Sequence, residues 1–559
     1  MTQRQRFGLG LALAAALALA QSMPAQPALA GRWRVDDRVL PGPVRLLRTI
    51  AWEGAPALMA LANAPGPAGG RTASLQVLRA GPGGITPAAA WTLPFPLRWV
   101  EPLRSGTGAA WLALRQDGWY IARPRGAELA WQRLCACPSV FDSGQDPDGL
   151  FPGFALDLDG DGRDELALPT ALGLDVYRLA PGREVPQALL PEPLWSWRWD
   201  PPLKPDPKTR AYALPEYFLV DTRRSGRRDL VVPRGGAVAV SASPAGPPRL
   251  VLDGAARARL GALALPPALR AALAALKDGE FADGAAVWAQ LPEAARSPEH
   301  LAALPGALWA LTTAPALPPE VRPLPQPPRL GSGDYAFPMA LQDLTGDGIP
   351  DLLQAAVLGS GLGIRGELRL YAGGIADGRW TFPRAPVPMT SQGPSVAEIV
   401  RLAAGDAAPA LVVAQTEVTL GTLLKGLTSG KADVEISIYP IRGQGIERQP
   451  ARRVKLAFEG IGDGFDPLVF AADLDGDGAR EFLVNTAPKR LLAFAGSAQG
   501  PRLGGAPLAV WEGPLPRYRQ EVLVADLDGD RREEIVFWYR PGRFGDALRS
   551  TVRVLRWVE

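Results

Sequence analysis

The sequence predicts an all-β protein: a β-propeller of eight, alternatively seven, four-stranded blades with a small α-helical insertion. Two observations lead to this fold. A nine-residue loop rich in Asp and Gly recurs between apolar runs. Most of the repeat centres lie about 50 to 70 residues apart, which suits an antiparallel four-stranded sheet with its connections. The 62 Gly and 58 Pro residues add the many turns that such a fold needs.

The recurring loop is clearest at Asp473–Glu481, with carboxylates at positions 1, 3 and 5, glycines at positions 4 and 6, and an acid at position 9. Asp157–Glu165 and Asp526–Glu534 are close copies, and Asp343–Asp351 has a threonine in place of the second carboxylate. A fifth copy, Asp221–Asp229, keeps carboxylates only at its two ends. Each copy lies between two apolar runs, so each marks one repeat.

Three weaker repeats keep the flanking apolar runs without the acidic loop, with centres near residues 54, 106 and 406. They bring the number of repeats to eight. The long interval between the centres at 225 and 347 holds an Ala- and Leu-rich segment with helical spacing. We therefore predict blades 1–4 over residues 31–253, a helical and Pro-rich insertion between blades over 254–330, and blades 5–8 over 331–559.

The two ends of the chain predict how the propeller closes. The last repeat supplies three apolar runs, the final one being Thr551–Trp557. Trp33–Val35 is the predicted fourth strand of this blade. Pairing the two ends would remove two open sheet edges, which are liable to unwanted association.

The first thirty residues are predicted to be an export signal. Arg4 and Arg6 form a basic start, residues 8–20 are apolar but short for a membrane span, and Ala-x-Ala sequences end at Ala20 and Ala30. We therefore expect an exported protein, periplasmic or extracellular, without a transmembrane segment after cleavage. The net charge of +3 gives no strong attraction to nucleic acid, so none is expected as a partner.

The acidic loops have the donor chemistry of a structural Ca²⁺ site. Calcium takes six to eight oxygen ligands, and the alternating carboxylates, a main-chain carbonyl at position 7 and the acid at position 9 would supply most of them. An EF-hand needs a bidentate glutamate at position 12, where the clearest copy has Val484. Several dispersed, closed loops indicate structural ions, because a catalytic metal needs an open coordination position.

On these residues the chain resembles the FG-GAP or VCBS repeat family, the calcium-loop propeller repeats of integrin α-subunit heads and of many exported bacterial proteins. The resemblance covers most of residues 31–559 apart from the insertion. It implies Ca²⁺ between two strands of a blade, but no single function. Carried over by position, the implied ligands are the side chains of Asp157, Asp159, Asp161, Glu165, Asp343, Thr345, Asp347, Asp351, Asp473, Asp475, Asp477, Glu481, Asp526, Asp528, Asp530 and Glu534, with the carbonyl oxygens of Arg163, Ile349, Ala479 and Arg532.

Three departures from the family pattern affect these sites. Thr345 is a weaker ligand than Asp, and Arg531 replaces the glycine that eases the turn. In the fifth loop, Arg223 occupies position 3, where the pattern has an anion. Its charge would repel a metal, so we predict no ion in that loop.

Few residues outside the loops suggest chemistry. His300, the only histidine, falls in the predicted insertion, so a triad or zinc site has little material, and we expect a solvated helix residue. Trp195, Trp197 and Trp199 alternate and would share one face of a strand, either as an aromatic platform for a sugar or partner or, as we favour, as inter-blade core.

Two functions of different classes remain. The first is an exported, non-enzymatic binding module for a protein or glycan partner at the cell envelope. The alternative is a calcium-dependent carbohydrate-active enzyme such as a polysaccharide lyase, with catalytic residues that a sequence cannot pair across blades.

Overall fold

The computed structural model describes residues 33–558 except 66–70, 82–83, 105–108, 116, 127, 136–152, 161, 172, 179–194, 200–202, 205–213, 235, 244–249, 263–264, 282–283, 298–299, 301–303, 305–306, 309–310, 312–318, 360–362, 393–394, 403–408, 417–429, 444, 460–467, 498–500, 504–505 and 541–548. The predicted signal peptide therefore lies outside the described residues.

Antiparallel sheets succeed one another along the first half of the chain. After an opening strand, β1 (Trp33–Leu40), three sheets of four strands follow. They are β2 (Val44–Trp52), β3 (Ala55–Pro65), β4 (Arg71–Gly81) and β5 (Gly84–Leu93); β6 (Trp99–Arg104), β7 (Ala109–Arg115), β8 (Gly118–Arg125) and β9 (Glu128–Cys135); and β10 (Ala155–Leu156), β11 (Glu165–Pro169), β12 (Gly173–Arg178) and β13 (Trp195–Arg198).

The fourth sheet contains the insertion. Its first three strands are β14 (Phe218–Val220), β15 (Asp229–Arg234) and β16 (Ala237–Ser241). The insertion then supplies β17 (Leu250–Leu252), α1 (Gly254–Ala262), α2 (Pro267–Ala275), β18 (Gly279–Phe281), α3 (Gly284–Gln290) and a 3₁₀ turn at Glu293–Ala295, before β19 (Glu320–Pro323).

Four further sheets complete the described chain. They comprise β20 (Tyr335–Gln342), β21 (Asp351–Leu358), β22 (Arg365–Tyr371) and β25 (Met389–Gln392), with a small hairpin of β23 (Gly374–Ala376) and β24 (Arg379–Thr381); β26 (Ser395–Val400), β27 (Ala410–Thr416), β28 (Lys431–Arg442), β29 (Gly445–Ile446) and β30 (Arg452–Glu459); β31 (Val469–Ala472), β32 (Glu481–Ala487), β33 (Arg490–Phe494) and β34 (Ala509–Glu512); and β35 (Val522–Ala525), β36 (Glu534–Tyr539) and β37 (Ser550–Trp557) with β1.

Within the described residues these are eight blade-like sheets, seven of four strands and one of five. The fold is an eight-bladed β-propeller, as the eight repeats predicted. The second strands of the blades explain the apolar runs that follow each loop. All eight residues of β21 are buried, as are six of the seven residues of β32, because a blade is covered on both faces.

The predicted closure is confirmed. β1 pairs antiparallel with β37 along its whole length, from Trp33 opposite Trp557 to Leu40 opposite Ser550. The guanidinium of Arg553 donates two hydrogen bonds of 2.7 Å to the carboxylate of Asp37 across this pair. The first and last described strands therefore share one sheet, which leaves neither with an open edge on that side.

The insertion lies inside the fourth blade, whereas the sequence suggested a position between blades. β19 pairs with β16, so the last strand of this blade comes after the helices. No sequence pattern indicates this strand, because β19 has only four residues, among them a proline, and no buried position to create an alternating pattern. The helices pack around a core of their own that includes Leu269, Leu273 and Leu308.

The chain divides into two compact units, one formed by residues 1–95 and 324–559 and the other by residues 96–323. In the first unit, apolar clusters lie between successive blades, as where Phe482 and Val484 of β32 pack with Val412 of β27. In the second unit, Trp197 and Leu230 belong to a comparable cluster of the third and fourth blades. Among the described residues, none of the helices combines the length and apolarity needed to cross a membrane.

Candidate calcium loops

Each acidic loop joins the first and second strands of a blade and is shaped by the carboxylate at position 1. In the clearest copy, Asp473 accepts N–H groups from Gly476 at 2.8 Å and Gly478 at 3.0 Å. Asp157, Asp343 and Asp526 accept the same two N–H groups, from positions 4 and 6 of their own loops. Position 1 is therefore a loop organiser as well as a candidate ligand.

The acid at position 9 begins the second strand and is buried. Glu481, 3% exposed, accepts the N–H of Leu474 at 2.9 Å and that of Gly496 at 3.1 Å. Glu165, Asp351 and Glu534 likewise accept the N–H of the leucine at position 2. This leucine is buried in each of the four loops. Because its position is fixed by packing, the hydrogen bond from its N–H orients the acid at position 9 towards the loop.

In three loops the acids at positions 1, 3 and 9 converge. One oxygen from each of the three carboxylates lies within 4.8 Å of the others in the sets Asp157/Asp159/Glu165, Asp473/Asp475/Glu481 and Asp526/Asp528/Glu534. Closely spaced carboxylates repel one another and are stabilised by a cation. The donors are all hard oxygens, the chemistry that Ca²⁺ or Mg²⁺ prefers, so the residues fit the predicted metal.

The acids at position 5 lie outside these converging sets. Asp477 accepts the N–H of Ala479 at 2.7 Å, and Asp530 accepts that of Arg532 at 2.8 Å. These are Asx turns, in which the side chain hydrogen bonds to the backbone two residues on. Asp161, the same position in the first acidic loop, lies outside the described residues.

Burial raises the pKa values of acids in two loops, and neighbouring carboxylates raise them further. Burial raises the pKa of Glu481 to about 7, with a further upward contribution from Asp475. Burial also raises the pKa of Glu534 to about 7, although Arg556 lies 3.4 Å from its carboxylate. The pKa of Asp475 is raised by burial and by the neighbouring carboxylates. A cation in the loop would favour the charged form of each acid.

The loop at 343 has the same frame with fewer acids. Asp351 is fully buried and accepts the N–H groups of Leu344 and Thr345, both at 2.9 Å, and of Gly373 at 2.7 Å. Burial raises the pKa of Asp351 despite these donors. Asp347 accepts the N–H of Ile349 at 2.8 Å. Because position 3 is a threonine, this loop offers fewer anionic donors to an ion than the other three.

The fifth loop replaces the converging acids by an internal cation. The guanidinium of Arg223 donates a hydrogen bond of 2.8 Å to Asp229, whose side chain is fully buried. Asp229 also accepts hydrogen bonds from Thr222 and from the N–H of Ser243. The predicted repulsion between Arg223 and a metal thus has a structural counterpart, since a positive charge of the protein already contacts the acid at position 9.

Two functional positions were missed at the sequence level. One is a small residue after the third strand, whose N–H donates to the acid at position 9: Ser243, Gly373 or Gly496. A Cβ at Gly496 would lie 2.7 Å from the carbonyl oxygen of Ala479, so only glycine fits there. It lies 15 residues from Glu481, too far for a local motif to show.

The other missed position is position 8, which joins neighbouring blades. The N–H groups of Asp164, Arg228, Arg480 and Glu533 donate to carbonyls of the preceding blade or its loop, at 2.6 to 3.1 Å. Charged side chains reinforce two of these contacts. Arg104 pairs with Asp164 at 2.8 Å, and Arg480 pairs with Glu533 at 2.5 Å. Position 8 varies in type because its shared contact is made by the backbone.

Other residues considered for function belong to the core. Trp197 and Trp199 are buried, so they support the interpretation as inter-blade core rather than as a sugar platform. His300 was expected to be solvated, but it is buried, and its Nδ1 lies 3.0 Å from the carbonyl oxygen of Ala295. The reason is the insertion's own apolar core, which the helical pattern did not reveal.

No protein-family model matches the chain, and no curated protein matches it. Solved structures with similarity include an Agrocybe aegerita lectin described as recognising non-reducing terminal N-acetylglucosamine, with 13% identity over 83% of this chain and 92% of the lectin and a TM-score of 0.34. Another is the V. cholerae biofilm matrix protein Bap1, with 13% identity over 95% of this chain and 88% of that one and a TM-score of 0.27. Both TM-scores are below 0.5, so neither structure informs the function of this chain.

Proposed function

We propose that the protein is an exported, calcium-binding β-propeller that acts as a non-enzymatic binding module for a protein or glycan partner at the cell envelope. The observation that supports this best is that the carboxylates at positions 1, 3 and 9 converge in each of three loops. A repeated, local arrangement of this kind suits ions that hold blades in shape.

The residues that would hold calcium are the acids at positions 1, 3 and 9 of the loops at 157, 473 and 526, and the acids of the loop at 343. When bound, Ca²⁺ would neutralise the crowded carboxylates and thereby clamp the two strands that the loop joins. The chain itself prepares the site, because hydrogen bonds from loop N–H groups already orient Asp473 and Glu481.

A binding role is favoured over catalysis because each acid cluster is contained in one loop. Asp473, Asp475 and Glu481 all lie within nine residues, and Glu481 is buried and engaged with two backbone N–H groups. Acid–base catalysis needs a group that reaches the substrate. A buried and internally hydrogen-bonded acid is instead suited to holding an ion.

The metal is tested by measuring bound calcium in the purified full-length protein by elemental analysis. The double variant Asp473→Asn/Asp475→Asn should lose about one calcium per protein, because it removes two carboxylates from one loop. The matched change Asp433→Asn, in β28 outside the loops, should leave the calcium content unchanged. Equal calcium in the wild type and the double variant would contradict the proposed site.

The binding role is tested by a glycan array and by capture of envelope proteins, each with calcium and with EDTA. We expect a partner that is retained in calcium and released in EDTA, together with no change in ultraviolet absorbance when the protein is incubated with uronate polysaccharides. Steady production of unsaturated sugar would instead establish the lyase. Export is tested by sequencing the N-terminus of the mature protein, which should begin after Ala20 or Ala30.

A further inference from the structure

A pocket lined by two arginines lies away from the acidic loops, within the unit formed by residues 1–95 and 324–559. It has a volume of about 330 Å³ and is lined by Arg38, Val39, Leu40, Pro41, Gln76 and Arg549. The first three lie on β1, Gln76 lies on β4, and Arg549 directly precedes β37. We call it the Arg38 pocket. It therefore lies where the closing strand of the last blade meets the first blade.

Two polar atoms of this lining are buried without a hydrogen-bond partner among the described residues: Nε of Arg38 and Oε1 of Gln76. The other end of the Gln76 amide donates to Ser74 Oγ at 3.1 Å, which fixes the side chain. A buried polar atom without a partner is destabilising. Because both atoms are inaccessible to solvent, the Arg38 and Gln76 side chains would contact a ligand in the pocket through their other nitrogen atoms.

The charges of the pocket select an anionic group. Arg38 and Arg549 both line it, and the guanidinium group is well shaped to bind a carboxylate through two parallel hydrogen bonds. The nearby acids of β1 are engaged elsewhere. Asp37 binds Arg553 at 2.7 Å, and Asp36 lies 3.4 Å from Arg556.

The rest of the lining favours more than a bare anion. Val39 is 51% exposed and lies close to the exposed Pro41, and these two residues offer apolar surface to a hydrocarbon face. The Gln76 amide nitrogen uses one of its two hydrogens for Ser74, and the other suits a hydroxyl group as acceptor. The volume is at the lower end for ligand pockets, which corresponds to one sugar ring rather than a long oligosaccharide.

We propose that the Arg38 pocket binds the carboxylate-bearing ring of an acidic sugar, a hexuronate. The carboxylate pairs with Arg38 and Arg549, the ring lies against Val39 and Pro41, and a hydroxyl group contacts Gln76. This inference rests on the proposed function, because it names the ligand class of the binding module. Inorganic sulfate and phosphate would satisfy the guanidinium groups but leave the apolar wall unused.

The test is a ligand-observed NMR titration of the full-length, calcium-loaded protein with D-glucuronate, D-glucose and inorganic sulfate. Glucuronate should bind at least about tenfold more tightly than either of the others, since each lacks one half of the recognised chemistry. Arg38→Gln and Arg549→Gln should each weaken glucuronate binding about tenfold, the loss expected for one charge-assisted hydrogen bond. Arg384→Gln removes the same charge from an exposed site outside the pocket and should leave binding unchanged.

Equal binding of glucose, equal binding of sulfate, or unchanged glucuronate binding in Arg549→Gln would each overturn the assignment. Arg549 is exposed, so its variant remains informative even if Arg38→Gln fails to fold. Calcium content and calcium-dependent capture of an envelope partner are measured on the same variants. If Arg549→Gln captures the partner normally while no variant or wild type binds glucuronate, the pocket assignment fails and the proposed function stands.

Discussion

The loops at Asp473–Glu481 and Asp221–Asp229 occupy the same place in their blades and differ in how their acids are balanced. Both use the acid at position 1 to accept loop N–H groups, and both bury the acid at position 9 at the start of the second strand. In the first loop Asp475 adds a third carboxylate, whereas in the second Arg223 places a guanidinium 2.8 Å from Asp229. The acid at position 9 of the Asp221 loop therefore has a positive side chain of its own loop beside it, whereas the Asp473 loop has a third carboxylate instead.

The backbone is preserved even where the sequence is not. Position 4 has a positive φ in every loop, and the values are 80° at Gly160, 82° at Gly346, 77° at Gly476, 82° at Gly529 and 53° at Arg224. A non-glycine residue in this region is strained by about 1 kcal/mol. The blade therefore tolerates local strain to keep the turn, which indicates that the turn is required by the fold and that the ion is one of two ways to hold it.

The largest expected effect is calcium removal. At a calcium concentration 100 times Kd, each occupied site adds about 2.7 kcal/mol to the free energy of unfolding. Hydrogen exchange with and without EDTA should show faster exchange in peptides covering residues 473–481 and 526–534, and unchanged exchange over 221–229, where Arg223 supplies the charge. Equal responses of the 473 and 221 loops would remove the distinction between them.

The second prediction concerns the ion pair between Arg223 and Asp229 in the fifth loop. Arg223→Gln should lower the free energy of unfolding by about 3 kcal/mol, because the buried carboxylate of Asp229 loses its cation. Chemical denaturation measures the loss, which should be the same in calcium and in EDTA. Arg384→Gln, at an exposed arginine, is the control for removal of one positive charge.

Arg223→Asp tests whether an acid cluster with calcium can replace the ion pair between Arg223 and Asp229. This variant gives the fifth loop carboxylates at positions 1, 3 and 9, as in the Asp473 loop. It should be unstable in EDTA and regain stability in calcium. A variant that calcium does not rescue would show that the acids alone are insufficient to make the site.

The fourth prediction concerns pH in calcium-free protein. The pKa of Glu481 in the folded protein is about 7, above the usual value near 4.5, so the folded state binds more protons between these values and stability rises as pH falls. Between pH 8 and pH 5.5 the gain is about 2 kcal/mol for this group. Glu534, whose pKa is also raised to about 7, should add a similar gain, so denaturation in EDTA at the two pH values should show the sum, and Glu481→Gln should lower it by about 2 kcal/mol. An unchanged total in the variant would assign the pH dependence to other groups.

The sequence predicted the repeats well because their signal is local. A loop such as Asp157–Glu165 and the strand after it fall within a dozen residues, so acids, glycines and apolar positions can be read together. The match between β1 and β37 was also accessible, since one repeat was a strand short and the other end of the chain had a strand to spare.

Features that depend on distant partners could not be predicted. Gly496 donates its N–H to Glu481, 15 residues away, and Arg556 of the last strand forms an ion pair with Glu534. The Arg38 pocket combines residues from both ends of the chain. β19 was missed for the same reason, because a four-residue strand is defined by its pairing with β16 and not by its own pattern.

The smallest expected effect concerns position 8, which acts alike in loops with and without converging acids. Arg480 and Glu533 form a partly buried ion pair at 2.5 Å between the last two blades. The Arg480→Gln/Glu533→Gln double-mutant cycle should give a coupling energy of about 1 kcal/mol. Because the backbone hydrogen bond from Arg480 to Leu402 remains, neither single variant should unfold the blade.

This coupling also separates contacts between blades from the ions within them. The backbone carbonyl of Asp473 accepts the N–H of Glu533 at 2.6 Å. The backbone N–H of Asp473 donates to the Glu533 carboxylate at 2.8 Å. The frame of the Asp473 loop is thus tied to the next blade independently of its acid cluster. The coupling energy should therefore be equal in calcium and in EDTA. A coupling that disappears in EDTA would mean that the ion, rather than the backbone frame, sets the position of Arg480.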